Sequence, residues 1–191
     1  LPEVTVLQVP EKLYQYPRLL RENIGLFYNL SLTAEDKKKI EMYKQQARRE
    51  SVKKKFTDIE GYLSSLGLII TIYENDTSII PRMSQMSQKT NQFNLTTKRY
   101  TEGDNRKFLE DPNTNVYALS VADKFGDSGV TGLCIINNDH ENQTAEIDTF
   151  LMSCRIIGRN IEYSFMNYVI GKTKEANIKK MKAKYVKTQK N

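Results

Sequence analysis

Three strand-like runs joined by short polar connections constrain the fold of this chain most strongly. The runs are NVYALSVADKF (115–125), GVTGLCIIN (129–137) and TAEIDTFLMS (144–153), and each is rich in β-branched or aromatic residues. GDS joins the first two and NDHENQ joins the second pair. Connections of this length are typical of hairpins, so the sequence predicts consecutive antiparallel pairing of the three runs.

Further elements are predicted on both sides of these runs. LIITIYE is apolar at successive positions and predicts a strand covered on both faces. The order that results is β-α-α-β-β-β-α-β, which predicts an α/β (α+β) domain with a mixed, mainly antiparallel sheet flanked by helices. The added elements are the strand 68–74, helices from about Pro81 to Asn91, from Thr101 to about Pro112 and from about Gly158 to Thr173, and the strand 180–186.

Two regions precede the predicted sheet. Residues 1–30 form an extended, proline-punctuated lead-in, and residues 31–67 form a helical extension. In that extension Thr33 caps a long charged helix, and a capping box of Thr57 and Glu60 opens a short one. Because the chain starts at Leu1 rather than Met, we expect it to be an excerpt of a longer polypeptide.

Charge and cysteine content bear on the partners and on the compartment. The formal net charge of +6 suits an anionic ligand or an acidic partner, but no nucleic-acid-binding motif accompanies it. No run is long and apolar enough to span a bilayer, and no signal peptide is recognisable, so a cytoplasmic location is expected. Cys134 and Cys154 are predicted to lie ~20 Å apart, which leaves two free thiols.

The stretch SCRIIGRNIE (153–162) leads from the third run into an amphipathic helix. Backbone N–H groups at such a turn lack helical acceptors and form a site for phosphate oxygens. Arg155 and Arg159 would add positive charge beside them. The alternative is an ordinary strand-to-helix turn that carries surface arginines.

The spacing Arg155-x-x-Gly158-x-Asn160 resembles the Arg/Gln-x-x-Gly-x-Gly/Ala pattern of the GCN5-related N-acetyltransferase (GNAT) superfamily, whose element order is also the one predicted above. Asn160 departs from the small residue usual there and could crowd a phosphate. The resemblance implies that the pantetheine arm of an acyl-CoA lies between two splayed parallel strands, 145–153 and 180–186. It also implies a pyrophosphate site formed by Arg155 and the backbone amides of Ile156, Ile157, Gly158, Arg159 and Asn160.

Four sequence blocks make the resemblance specific to one family within the superfamily. The chain resembles the C-terminal domain of FkbH-like proteins in the blocks QKTNQFNLTTKRYT, DKFGDSG, IDTFLMSCRIIGR and YVKTQKN. In that family a phosphatase domain of the haloacid-dehalogenase (HAD) superfamily, subfamily IIIC, comes first. The resemblance implies that residues 68–191 form a GNAT-like acyltransferase domain, truncated at its C-terminus. It further implies handling of a small acyl group on CoA or on the phosphopantetheine of an acyl carrier protein.

The polar stretch KTNQFNLTTKRYT (89–101) borders the acceptor side of the cleft in that topology. Its hydrogen-bonding side chains are candidates for binding the acyl group or the acceptor. The alternative is a structural loop in which the same side chains bond to nearby backbone groups. The candidate residues are Asn91, Gln92, Asn94, Thr96 and Thr97.

Three residues are candidates for catalysis. Glu146 and Asp148 share a face of their predicted strand because side chains alternate, and superfamily members often place a general base on this strand. Cys154 stands beside Arg155 and is a candidate nucleophile, although a cysteine at a strand end is more often a small core residue. No metal site is predicted.

Three functions compete at this point. The first is an acyltransferase-like domain that acts on a phosphopantetheine thioester within a larger loading enzyme. The second is a non-catalytic module that positions a carrier protein for the phosphatase domain. The third, nucleic-acid binding, rests on charge alone. For the first two, an acidic carrier protein is expected to be attracted by the basic segment of Lys179, Lys180, Lys182 and Lys184.

Overall fold

The computed structural model describes residues 6–27 and 34–188, and its internal contacts divide the chain into two compact units, Leu1–Tyr43 and Lys44–Asn191. In the first unit the described part of the lead-in is helical rather than extended between Leu13 and Phe27. Helix α1 (Tyr16–Glu22) lies between two short 3-10 turns, Leu13–Gln15 and Ile24–Phe27. Pro17 occupies the first turn of α1, where a missing N–H costs no hydrogen bond.

The long charged helix is α2 (Ala34–Lys53), which begins in the first unit and ends in the second. Its expected cap, Thr33, lies outside the described residues. None of the described helices is both long enough and apolar enough to cross a membrane.

A five-stranded sheet forms the centre of the second unit, with its strands in the order β1-β2-β3-β4-β5. The first four strands pair antiparallel in succession, and β5 pairs parallel with β4. This confirms the predicted mixed, mainly antiparallel sheet and the parallel pairing across the βαβ connection. The strands are β1 (Ile69–Glu74), β2 (Thr114–Asp123), β3 (Gly126–Asp139), β4 (Thr144–Met152) and β5 (Lys180–Ala183).

Four helices accompany the sheet in the predicted positions: α3 (Ile59–Leu66), α4 (Ile80–Lys89), α5 (Glu102–Glu110) and α6 (Ile161–Glu175). Thr101 caps α5 with Asp104 as its reciprocal partner. The cap of α3 was expected at Thr57 but lies at Asp58, whose carboxylate accepts the Gly61 N–H at 2.6 Å. A carboxylate also complements the positive end of the helix dipole.

The core has two parts. One cluster contains the side chains that β2, β3 and β4 direct toward α6, with Phe165 of α6 fully buried. The other contains the alternate side chains of the same strands together with α4, where Met83 is fully buried. Helices therefore cover both faces of the central strands, and the period-2 alternation of the strands divides the apolar residues between the two clusters.

The edge strands differ from expectation. β1 was predicted to be covered on both faces, but it is an edge strand, and Ile69 is 64% exposed. β5 ends at Ala183 rather than at Val186. The error for β1 arises because apolar composition does not distinguish a central strand from an edge strand.

Candidate functional site

β4 and β5 separate soon after they pair. Their parallel register covers four residue pairs and ends at Ile147 and Ala183. Asp148 follows at a β-bulge, because Ile147 and Thr149 of β4 face consecutive residues of β3. The remainder of β4 therefore has an edge that β5 does not reach, at the position where the resemblance implies a pantetheine arm.

The chain itself occupies this edge with a short extended segment, Phe93, Asn94 and Leu95, called the insert below. The Leu95 N–H donates to the Phe150 carbonyl at 3.0 Å, and the Met152 N–H donates to the Phe93 carbonyl at 3.0 Å. On the far side the Val186 N–H donates to the Leu95 carbonyl at 2.8 Å. The insert therefore forms hydrogen bonds of the kind that a pantetheine amide would form with β4.

Side chains fasten the insert. Phe93 packs edge-on against Phe150, with ring centroids 5.7 Å apart. Asn94 is 1% exposed, and its Oδ1 accepts the Thr97 N–H at 3.0 Å while its Nδ2 donates to the Thr90 carbonyl at 3.3 Å. Thr96 is also buried. For Asn94 the structure matches the alternative expectation of a side chain that satisfies local backbone groups.

The two candidate acids on β4 have different surroundings. Glu146 is exposed, whereas Asp148 is buried and accepts hydrogen bonds from the Tyr100 hydroxyl at 2.6 Å and from Lys98. Burial raises the pKa of Tyr100, and the hydrogen bond to Asp148 raises it further. Asp148 is thus held by a hydroxyl donor and an ammonium group.

The turn after β4 is longer than the sequence predicted. β4 ends at Met152 and α6 begins only at Ile161, so the strand does not lead directly into the helix. Gly158 and Asn160 adopt left-handed conformations with φ of 78° and 59°. The amide of Ile156 donates to the Ser153 carbonyl at 3.1 Å, and its side chain is fully buried. Ile157 and Asn160 are exposed at the surface of the turn.

Arg159 does not point into solvent, although the surface of the turn was its expected place. Its side chain is 8% exposed and lies 3.4 Å from Asp123, and it also donates to the Arg155 carbonyl at 2.8 Å. Arg49 binds the same carboxylate through two hydrogen bonds of 2.7 and 2.9 Å. We call these three residues the buried arginine cluster. The alternative of a turn that carries surface arginines therefore does not describe Arg159.

Asp123 is charged despite its burial. Burial by itself would raise the pKa of Asp123, but hydrogen bonds from Arg49 and from the Phe125 N–H, with the charges of both arginines, hold it below the ordinary value. The pKa of Arg159 is lowered by burial and then by repulsion from Arg49. The carboxylate therefore holds together two guanidinium groups that repel each other.

A second pair of arginines faces a cavity of about 320 Å³ between α4 and the turn after β4. We call this space the basic cavity. Arg82 and Lys89 come from α4, and Arg155 comes from the turn. Among the described residues that line it there is no Asp or Glu. The lining consists of Arg82, Gln85, Met86, Lys89, Thr90, Asn91, Gln92, Ser153, Cys154 and Arg155.

Four residues predicted from sequence thus meet at one place, because Asn91, Gln92, Cys154 and Arg155 all line the basic cavity. Cys154 is exposed and its thiol is free, as is the buried thiol of Cys134, so the prediction of two free cysteines is confirmed. Sequence reasoning missed Arg82, although positions 82, 85 and 89 recur on one face of a helix and a polar stripe there was a readable signal.

An apolar groove of about 410 Å³ lies on the other side of the sheet, between α6 and β5. Met166 and Ile170 of α6 form one wall, and Met181 of β5 forms another. Leu95 of the insert closes the groove toward the splayed edge of β4. Lys174, Lys179 and Lys180 also line it and bring positive charge.

No protein-family model and no curated protein matches the sequence. Several of the solved structures that resemble the chain are acetyltransferases by their descriptions. The ribosomal-protein-S18-alanine N-acetyltransferase from Escherichia coli shares 10% identity over 58% of this chain and 63% of its own, with a TM-score of 0.45. Rv2747 from Mycobacterium tuberculosis, in complex with CoA and NLQ, shares 12% identity over 62% of this chain and 66% of its own, with a TM-score of 0.49.

A third similar structure is the ribosomal-protein-alanine N-acetyltransferase from Brucella melitensis biovar Abortus 2308, with 12% identity, coverage of 63% of this chain and 83% of its own, and a TM-score of 0.48. The chain spans less than two thirds of the length of the Escherichia coli enzyme and of the IAA acetyltransferase from Bacillus cereus, of which it covers 63% and 65%.

Proposed function

We propose that the second unit is an acyltransferase-like domain that handles a small acyl group on a phosphopantetheine thioester, as part of an FkbH-like loading enzyme. The observation that carries the proposal is the geometry at the splayed edge of β4. A backbone edge that β5 does not reach lies beside an apolar groove with lysines in its wall. An arm with amide groups, apolar methylenes and a phosphate matches those three features.

The insert must leave the edge of β4 before a pantetheine arm can pair with that strand. It holds the Phe150 carbonyl and the Met152 N–H, the groups an arm would use. Two main-chain hydrogen bonds to β4 are worth about 0.5–1.5 kcal/mol each, so exchange for an equivalent pair on a ligand is energetically accessible. In this proposal Asp148 stabilises the site through Tyr100 and Lys98, and Glu146 is the more accessible acid on β4.

A second candidate is a non-catalytic module that positions a carrier protein for a neighbouring phosphatase domain. The filled edge of β4 favours it, because a domain that never admits an arm has no need to keep that edge open. Asp148, held by an ammonium group and a hydroxyl, also suits a structural role. The two candidates differ in whether the arm itself contributes to binding.

Calorimetry with an acyl carrier protein, with and without its phosphopantetheine arm, and with CoA separates them. For the acyltransferase-like domain, the arm should tighten binding, and Ile170→Gln in the groove should weaken CoA binding about tenfold, the equivalent of one lost apolar contact. Tyr163→Gln, at a residue of the same helix that is 67% exposed, is the matched control. Equal affinity for both carrier forms and no CoA binding would favour the docking module.

The basic segment at β5 is proposed as the surface that attracts the acidic carrier. Lys179, Lys180, Lys182 and Lys184 are all exposed. Exposed charges of one sign raise the association rate more than the final affinity. Charge reversal of Lys182 and Lys184 should therefore slow association at low salt and have little effect at high salt. Unchanged association rates at low salt would indicate that the segment is only a solvated surface.

A further inference from the structure

We propose that the insert is an autoinhibitory strap, which closes the edge of β4 and is held closed by Val186. The strap opens when the insert leaves β4 as a unit, and the population of the open form then sets the apparent affinity for an arm that pairs with the same edge. The inference rests on the proposed function and concerns the regulation of that site. Opening and closing are nevertheless properties of the chain alone and can be measured without a ligand.

The insert lies between two other segments of the chain. On one side it pairs antiparallel with β4, where Asn94 stands opposite Leu151. On the other side the Val186 N–H donates to the Leu95 carbonyl at 2.8 Å. Val186 lies beyond Ala183, the last residue of β5, so this bond holds the insert from a segment outside the paired strand. One main-chain donor therefore acts as a latch on the side of the insert that faces away from β4.

The base of the insert is tied by bonds that do not involve β4. Arg99 donates to the Thr90 carbonyl at 3.0 Å, which holds the two ends of the stretch 90–99 together. Tyr100, the next residue, donates its hydroxyl to Asp148 at 2.6 Å. The insert can therefore leave β4 without displacing either end of the stretch, which is the behaviour of a strap with a fixed base.

The closed form stores strain next to the insert. Thr97 has a φ of 57°, in the left-handed region that β-branched residues rarely adopt. For an L-residue this conformation shifts an equilibrium against the closed form by about five- to thirtyfold. The buried Thr96 hydroxyl has no hydrogen-bond partner among the described residues, which is a further cost. Opening relieves both costs, and strain of this kind is typical of switch regions.

Hydrogen exchange of individual amides, followed by NMR without any ligand, tests the strap. The amides of Leu95 and Met152 both bond across the interface with β4, so local opening should expose them together. Val186→Pro removes the latching N–H and should speed exchange of both amides about two- to tenfold. Lys187→Pro, at the next and exposed position, is the matched control and should leave both rates unchanged.

Thr97→Asn should act in the opposite direction. Asn tolerates the left-handed conformation better than Thr, so the closed form gains stability and exchange of both amides should slow several-fold. Calorimetry with CoA gives the second readout: Val186→Pro should tighten binding and Thr97→Asn should weaken it, by the factors that exchange shows. If Val186→Pro speeds exchange throughout the sheet, Thr97→Asn decides, because it stabilises the closed form.

Two exchange results would overturn the proposal. One is rates at Leu95 and Met152 that do not change in Val186→Pro, and the other is a change at only one of the two amides. CoA affinities that do not follow the exchange rates would overturn the autoinhibitory role. Exchange rates as predicted, without CoA binding in any variant, would contradict the proposed function alone and support a strap that closes β4.

Discussion

Two pairs of arginines lie near the turn after β4, and their surroundings differ in one decisive respect. Arg49 and Arg159 share the carboxylate of Asp123, whose side chain is 1% exposed. Arg82 and Arg155 share a cavity whose described lining contains no acid. In both pairs the guanidinium groups repel each other, as the lowered pKa of Arg159 and that of Arg82 indicate, each after the effect of burial.

The difference shows how a charge cluster can be assigned a role. A cluster that carries its own counter-ion is complete, and removing one member leaves an unpaired buried charge. The buried arginine cluster therefore belongs to the stability of the fold. Arg155 and Arg159 are only four residues apart in the sequence, but Arg159 pairs with Asp123 and Arg155 lines the basic cavity.

Asp123→Asn should give the largest effect. It leaves Arg49 and Arg159 buried without a counter-ion, and breaking a buried ion pair in this way costs about 3–5 kcal/mol. Urea unfolding followed by circular dichroism measures the loss. A loss below about 1 kcal/mol would mean that the cluster does not hold the fold together, and the contrast with the basic cavity would fail.

Arg159→Ala should destabilise the chain by about 1–3 kcal/mol, less than Asp123→Asn, because Arg49 still pairs with the carboxylate. The same unfolding experiment measures this loss, with Arg106→Ala as the control. Stability equal to that of the parent chain would place Arg159 outside the buried arginine cluster and return it to the turn as a ligand-binding candidate.

Asp123 also predicts a pH dependence of stability. Because its pKa is lowered in the folded chain, its contribution is present at pH values above the unfolded pKa of about 3.9 and is lost as pH falls through the folded value. The free energy of unfolding should therefore decline in acid, and more steeply in the parent chain than in Asp123→Asn. Parallel declines in both proteins would contradict this assignment.

Lys89→Gln should leave the free energy of unfolding within about 0.5 kcal/mol of the parent value, because surface substitutions away from special features rarely change it more. Urea unfolding measures this, and a loss above about 1 kcal/mol would give Lys89 a structural role.

The smallest expected difference is in the reactivity of the two thiols. Cys134 is fully buried, and burial raises the pKa of its thiol, whereas Cys154 is exposed at the basic cavity. One thiol per folded chain should react with an alkylating reagent, and two after unfolding. Rapid modification of both thiols in the folded chain would be inconsistent with the described core.

Local signals in the sequence predicted much of the fold. Thr101 caps α5 as predicted, because a cap depends on residues within a few positions of each other. The parallel pairing of β4 and β5 followed from the βαβ order. The edge position of β1 did not follow from the sequence, because its exposure depends on which strands assemble around it.

The site was less predictable, because its contacts are distant in the sequence. Arg49 and Asp123 are separated by 74 positions, and no local pattern joins them. Arg155 and Arg159 look equivalent in the sequence, but the left-handed residues Gly158 and Asn160 shape the turn that separates them. Placement of the insert against β4 depends on hydrogen bonds between backbone groups, which carry no sequence signature.

The most direct test of the buried arginine cluster compares Asp123→Asn, Arg159→Ala and the double variant by urea unfolding. The account predicts that the two losses in the free energy of unfolding are not additive, because Arg159 and Asp123 interact directly. Losses that add to within about 0.5 kcal/mol would contradict the account.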